Sequence, residues 1–129
     1  MQIPFEHRVI DELLQVRGSK WTMAVVLRLR VETLRFTELR REVGVSQKAL
    51  TATLRALERD GLVSRTSYAT IPPRVDYALT DLGREALRVF EAWEDFALKH
   101  AAQVIASRRR FDAAAKEEPH SFPLTRHAR

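Results

Sequence analysis

Four residues, Val43-Gly44-Val45-Ser46, limit most sharply what this chain can become. They interrupt two runs of helical character. Gly44 suits the left-handed position that closes one helix, and Ser46 suits the N-cap that opens the next. The helices so joined are predicted over about Phe36 to Val43, where Leu39 and Val43 lie four apart, and over Gln47 to Asp60, ended by Gly61. Two helices joined by a glycine-containing turn of this kind, with a β-hairpin to follow, spell a helix-turn-helix.

The flanking pattern narrows the fold class to mainly α with a small β element. Upstream, Val9, Ile10, Leu13, Leu14 and Val16 mark a short helix over His7 to Val16, ended by Gly18. A dense apolar run from Trp21 to Leu29 marks a mostly buried helix over Lys20 to about Val31, with Ser19 as its cap. Downstream, Leu62 to about Thr70 reads as strand and Ile71 to Arg74 as a turn. Val75, Tyr77 and Leu79 then alternate with Asp76 and Ala78 as a second strand. Proline cannot donate to a strand ladder, so Pro72 and Pro73 belong at the tip of this hairpin. Thr80 is placed to cap a long last helix that reaches Arg110 or beyond. The order of helices, two-stranded wing and long helix describes a winged helix-turn-helix. We expect one domain over residues 1–115 and a disordered tail over 116–129.

On a helical wheel at about 100° per residue, Leu50, Leu54 and Leu57 form the core stripe of the second turn-motif helix. Lys48, Ala52, Arg55 and Arg59 fall opposite, with Thr51 at the margin and Gln47 at the N-terminal end. Glutamine can pair with adenine, and lysine or arginine with guanine, through two hydrogen bonds in the major groove. Thr51 suits a thymine methyl or a phosphate, and Ala52 permits close approach. Arg59 is better placed for solvent or an ion pair. Arg74 at the wing tip and Arg65 on the partner strand suit phosphate or a narrow minor groove. Tyr77 is expected in the core beneath the wing. Arg35 and Ser46 complete the candidate DNA-binding set. A formal net charge of +5 favours an acidic partner such as DNA.

The last helix carries more apolar surface than one small body can cover. Leu82, Ala86, Val89, Phe90, Trp93, Phe96, Ala97, Ala101 and Val104 span a broad arc, widened by Leu87, Leu98 and Ile105. From Thr80 to Arg110 the helix would run on the order of 45 Å, beyond a body roughly 25–30 Å across. Exposed, that surface would be a liability. A homodimer would cover it, with Val9, Leu13, Leu87, Phe90, Trp93, Leu98, Ala101 and Ile105 as interface candidates. The aromatics between subunits could line a small-molecule effector pocket, although such a stripe is more often plain core.

Other chemistry has little to stand on. The chain has 129 residues and no cysteine, which removes disulfides and thiol switches within it. His7, His100, His120 and His127 lack metal-ligand spacing. No phosphate-cradling glycine loop or nucleophile elbow is present, so an enzyme is not expected, nor is a cofactor. No stretch approaches the roughly 18 apolar residues of a membrane span, and the N-terminus lacks the pattern of a signal peptide. A cytoplasmic protein without membrane contact is the expectation.

The segments "GSKWTMAVVLRL", "RFTELRREVGVSQKALTATLRALERDGLVSRT" and "PPRVDYALTDLG" together resemble the HxlR-type winged-helix transcription regulators, relatives of the MarR-like regulators, over roughly Pro4 to Leu87. The resemblance implies a homodimer on pseudo-palindromic operator DNA, with the second turn-motif helix in the major groove and the hairpin as wing. Departures accompany it. Ile3 precedes Pro4 where members often carry a cysteine. Glu32 stands where a glycine is common, and Asp76 where a glutamate is. Promoter occlusion makes a repressor the expected mode. A different class stays open, a winged-helix adaptor that binds protein rather than specific DNA.

Overall fold

The computed structural model describes residues 5–15 and 21–117. Helix α1 spans Phe5–Gln15, α2 Thr22–Arg28, α3 Phe36–Val43, α4 Gln47–Arg59 and α5 Asp81–Glu117. Strand β1 is Leu34–Arg35, β2 Val63–Tyr68 and β3 Arg74–Leu79. The chain divides into two units, Met1–Ala92 and Trp93–Arg129, and α5 begins in the first and continues through the second.

The first unit is built on the turn motif. Gly44 takes φ 74°, the left-handed region, and its N–H donates to the Arg40 carbonyl at 2.9 Å. Ser46 Oγ accepts the Ala49 N–H at 3.1 Å and satisfies one orphan donor of α4. At the other end of α4, Gly61 takes φ 79°. Its N–H donates to Glu58 O at 3.0 Å while Leu62 N–H reaches Leu57 O at 2.9 Å, the paired bonds of a Schellman close. Leu50, Leu54 and Leu57 are at most 3% exposed. They meet Val25, Val26 and Leu29, together with Leu39 of α3 and Val63 and Leu79 of the strands, in one core. Each such side chain contributes about 1.5–3 kcal/mol relative to exposure.

The α4–β2 corner is tied to the start of α5. Thr80 Oγ1 donates to Gly61 O at 2.6 Å and accepts the Gly83 N–H at 2.9 Å. Thr80 N–H also reaches Leu62 O at 3.1 Å. Gly83 is buried, and a Cβ there would run into the Leu62 carbonyl oxygen. A threonine hydroxyl and an absent side chain thus fix the strand exit against α4.

Several expectations shift. The sheet has three antiparallel strands in the order β1-β3-β2, not two. Leu34 pairs with Tyr77 and Arg35 with Asp76. A two-residue strand shows no alternation, so no period announces it. The wing strands are Val63–Tyr68 and Arg74–Leu79, which moves Arg74 from the turn into the ladder, opposite Tyr68. The buried second helix spans Thr22–Arg28, although Leu29 beyond its end is still 1% exposed. The expected stop and cap at Gly18 and Ser19 lie outside the described residues. Tyr77 is in the core, 9% exposed. Leu87 and Phe90, expected at a dimer interface, turn inward instead. Leu87 is itself buried in the core of the first unit, and Phe90 packs partly buried against it, so little of Leu87 is left for a partner. Helix α5 extends past Arg110 to Glu117, into the segment expected as tail, and residues 118–129 lie outside the described set.

In the second unit no described residue is buried. Trp93 and Phe96 stack with centroids 5.1 Å apart and planes 11° off parallel. Phe96 and His100 sit 5.1 Å apart at 41°. Trp93, Leu98, Ile105 and Phe111 are exposed.

Candidate nucleic-acid interface

The leucine stripe of α4 fixes which face looks outward. With Leu50, Leu54 and Leu57 inward, Gln47, Lys48, Ala52, Arg55 and Arg59 are exposed and Thr51 is half-buried. Lys48, Arg55 and Arg59 make no side-chain hydrogen bond or ion pair among the described residues. They form a cationic edge without ion-pair partners among the described residues. The N-terminal turn is the positive end of the helix dipole. Exposed Arg40 and Arg41 of α3 flank it across a hollow of about 470 Å³ that also touches Gln47.

The wing lies beyond the far end of α4. Between them is a cleft of about 770 Å³ lined by Thr51, Leu54, Arg55, Ala56, Glu58, Arg59, Arg65 and Tyr77. Arg65 and Tyr77 face each other across β2 and β3, so both side chains project to the α4 side of the sheet. Arg65 Nε stands 3.4 Å from each carboxylate oxygen of Glu58. Burial pushes the Tyr77 phenol above its ordinary pKa; Arg65 opposes that rise and Glu58 adds to it. The hydroxyl is therefore a neutral donor at physiological pH, within the field of both charges.

The opposite face of the wing holds the second arginine. The Arg74 guanidinium lies 4.2 Å from the centre of the Tyr68 ring, a cation–π contact. Its Nε is 3.3 Å from Asp76 Oδ1. Both atoms are shielded from solvent and neither makes a hydrogen bond, so the contact is an ion pair without hydrogen-bond alignment. Arg35 pairs across the ladder with Asp76, and its backbone N–H donates to Glu38 Oε1 at 2.9 Å at the start of α3. An arginine side chain cannot accept a hydrogen bond, so the cap of α3 rests on Glu38. The tip itself presents Ile71, fully exposed, with Pro72 and Pro73. The Ile71–Pro72 peptide is cis, and Thr70 Oγ1 donates to Pro72 O at 2.8 Å.

The structure thus brings Gln47, Lys48, Thr51, Ala52 and Arg55 onto one edge of α4, with Arg65 at the far side of its cleft. It sets Arg35 and Arg74 on the other face of the sheet. The sequence reading missed Glu58, Tyr68 and Asp76, the groups that hold the wing arginines. Strand register places Tyr68 opposite Arg74, but only once the turn is placed correctly. Among the described residues no cluster of histidine, cysteine, aspartate or glutamate could hold a metal ion, and no helix is long and apolar enough to cross a membrane.

Residues 16–104 match the family described as HxlR-like helix-turn-helix. The chain is 39% identical over 98 residues to YtfH of Escherichia coli, itself an uncharacterized HTH-type transcriptional regulator, covering 75% of this chain and 78% of that one. The solved structure of ytfH from Salmonella typhimurium is 40% identical, with a TM-score of 0.71 over 77% of this chain and 89% of the other. The redox regulator HypR in its reduced form is 31% identical, with a TM-score of 0.69 over 75% and 97%.

Proposed function

From the premise that the chain belongs to the HxlR-like helix-turn-helix family and is an HTH-type transcriptional regulator, we propose that it acts as a homodimeric repressor on pseudo-palindromic operator DNA. The observation that carries the reading is the edge of α4. Its cations are exposed and, among the described residues, unpaired, on a helix that is capped at both ends and anchored by three buried leucines. A rigid helix with free cations and a positive N-terminus suits the major groove. Gln47, Lys48, Thr51, Ala52 and Arg55 would meet bases and flanking phosphates there, with Ser46 holding the first turn. Arg35, Arg65 and Arg74 would serve the backbone.

Exposed apolar side chains support the dimer. Helix α1 exposes Ile10 and Leu13, with Val9 half-buried beside them. The second unit exposes Trp93, Leu98, Ala101 and Ile105. A second copy would cover such surfaces, and a two-fold dimer would present two copies of α4 to half-sites about one DNA turn apart. The stacked Trp93 and Phe96 rings give an aromatic small-molecule effector a surface to join. HypR is a redox regulator; this chain contains no cysteine, so no thiol switch operates within it.

A gel shift with the DNA upstream of the chain's own gene tests the reading. We expect a complex that survives excess competitor DNA. Binding that is salt-sensitive but indifferent to sequence would favour the adaptor alternative. Light scattering at micromolar concentration should give twice the chain mass, and a monomer would end the dimer.

A further inference from the structure

The cleft between α4 and the wing holds one acid among its cations. Arg55, Arg59 and Arg65 line it, and so does Glu58. A duplex that takes a helix in its major groove and a hairpin in the neighbouring minor groove must pass a sugar–phosphate strand between the two, because that strand is what separates the grooves. With α4 in the major groove and the wing in the minor groove, the cleft between them would receive that strand. Thr51 and the neutral Tyr77 hydroxyl add uncharged groups to its wall. In such a channel a carboxylate works against binding.

Glu58 is 40% exposed and Arg65 48%, and an exposed pair of this kind adds little to fold stability. Its effect is on Arg65, the wing cation that faces the cleft, which it holds at 3.4 Å. We propose that Glu58 sets the affinity of this protein for DNA: it occupies Arg65 in the free protein, and a backbone phosphate must displace it for the wing to close on DNA. The proposal rests on the DNA-binding reading above and adds a residue to it. Every duplex has the same backbone, so the cost is common to all sequences. Glu58 therefore lowers affinity by a common factor on every duplex, and the α4 edge sets which sequence is preferred.

The test is Glu58→Gln, measured by fluorescence anisotropy over a salt series on a selected operator duplex and on an unrelated duplex of the same length. Thermal unfolding monitors the fold. The expected result is binding about two- to fivefold tighter at low salt on both duplexes, an unchanged ratio between them, and a salt slope steeper by up to about one unit. In an Arg65→Ala background the gain should shrink by at least half. A gain of the same size in both backgrounds would assign Glu58 to direct repulsion of phosphate and overturn the exchange. Unchanged or weaker binding by a variant that unfolds at the wild-type temperature also overturns it, while the DNA-binding reading stands. A wild-type chain that binds no duplex overturns both.

Discussion

The α4 edge and the wing both carry cations, but they hold them differently. Lys48, Arg55 and Arg59 have no ion-pair partner among the described residues and stand on a helix fixed by caps and buried leucines. Arg65 and Arg74 stand on a hairpin whose β2 strand is exposed beyond Val63, and each is engaged by an acid of the same fold, Glu58 or Asp76. An unpaired cation on a rigid helix can meet a base edge without breaking any protein contact. A paired cation must exchange one partner for another, which makes its net gain small. On the proposed DNA-binding reading, the helix would discriminate between sequences and the wing would add a modest, sequence-blind increment.

The harshest way to break this comparison is to remove the platform both regions share. Leu54 is 1% exposed and also lines the cleft, so Leu54→Ala should cost about 2–5 kcal/mol of stability, read by denaturant unfolding. Gly83→Ala attacks the same platform through its corner and should cost about 1–3 kcal/mol by forcing a Cβ toward the Leu62 carbonyl. A more selective cut is Arg55→Ala, expected to weaken operator binding by about 1–3 kcal/mol and relax sequence preference. Arg74→Ala should weaken operator and random DNA alike by less than about 1 kcal/mol and lower the salt slope by about one unit. If the two arginine variants behaved alike, the distinction between helix and wing would fail.

The smallest expected effect concerns pH. The Tyr77 pKa is raised in the folded state by burial, so the fold favours the neutral phenol. That contribution is fully present below about pH 10, the ordinary tyrosine value, and is lost as pH rises through the folded value. Tyr77→Phe should flatten the alkaline loss of stability, as followed by thermal unfolding across pH.

The turn motif was legible because its signals are local. Gly44, Ser46 and Gly61 each announce a backbone state on their own, and Leu50, Leu54 and Leu57 announce a face. Strand β1 was not legible, because Leu34 and Arg35 gain strand character only from the Tyr77 and Asp76 they meet. Leu87 was misassigned for a related reason. Helical spacing shows that a residue is apolar and on a face, but not whether the body of its own chain has already covered it. The wing arginines were identified by charge. Their acids were not, since Glu58 reaches Arg65 around the Gly61 turn, a geometry with no period.

Selection of bound sites from a random duplex pool separates the roles of helix and wing, with the wild type, Arg55→Ala and Arg74→Ala run side by side. The wild type should select a palindrome with half-sites about one helical turn apart. Arg74→Ala should select the same motif at weaker recovery, and Arg55→Ala an altered or degraded one. An unenriched wild-type pool, or a motif changed by the wing variant and untouched by the helix variant, would overturn the division between helix and wing.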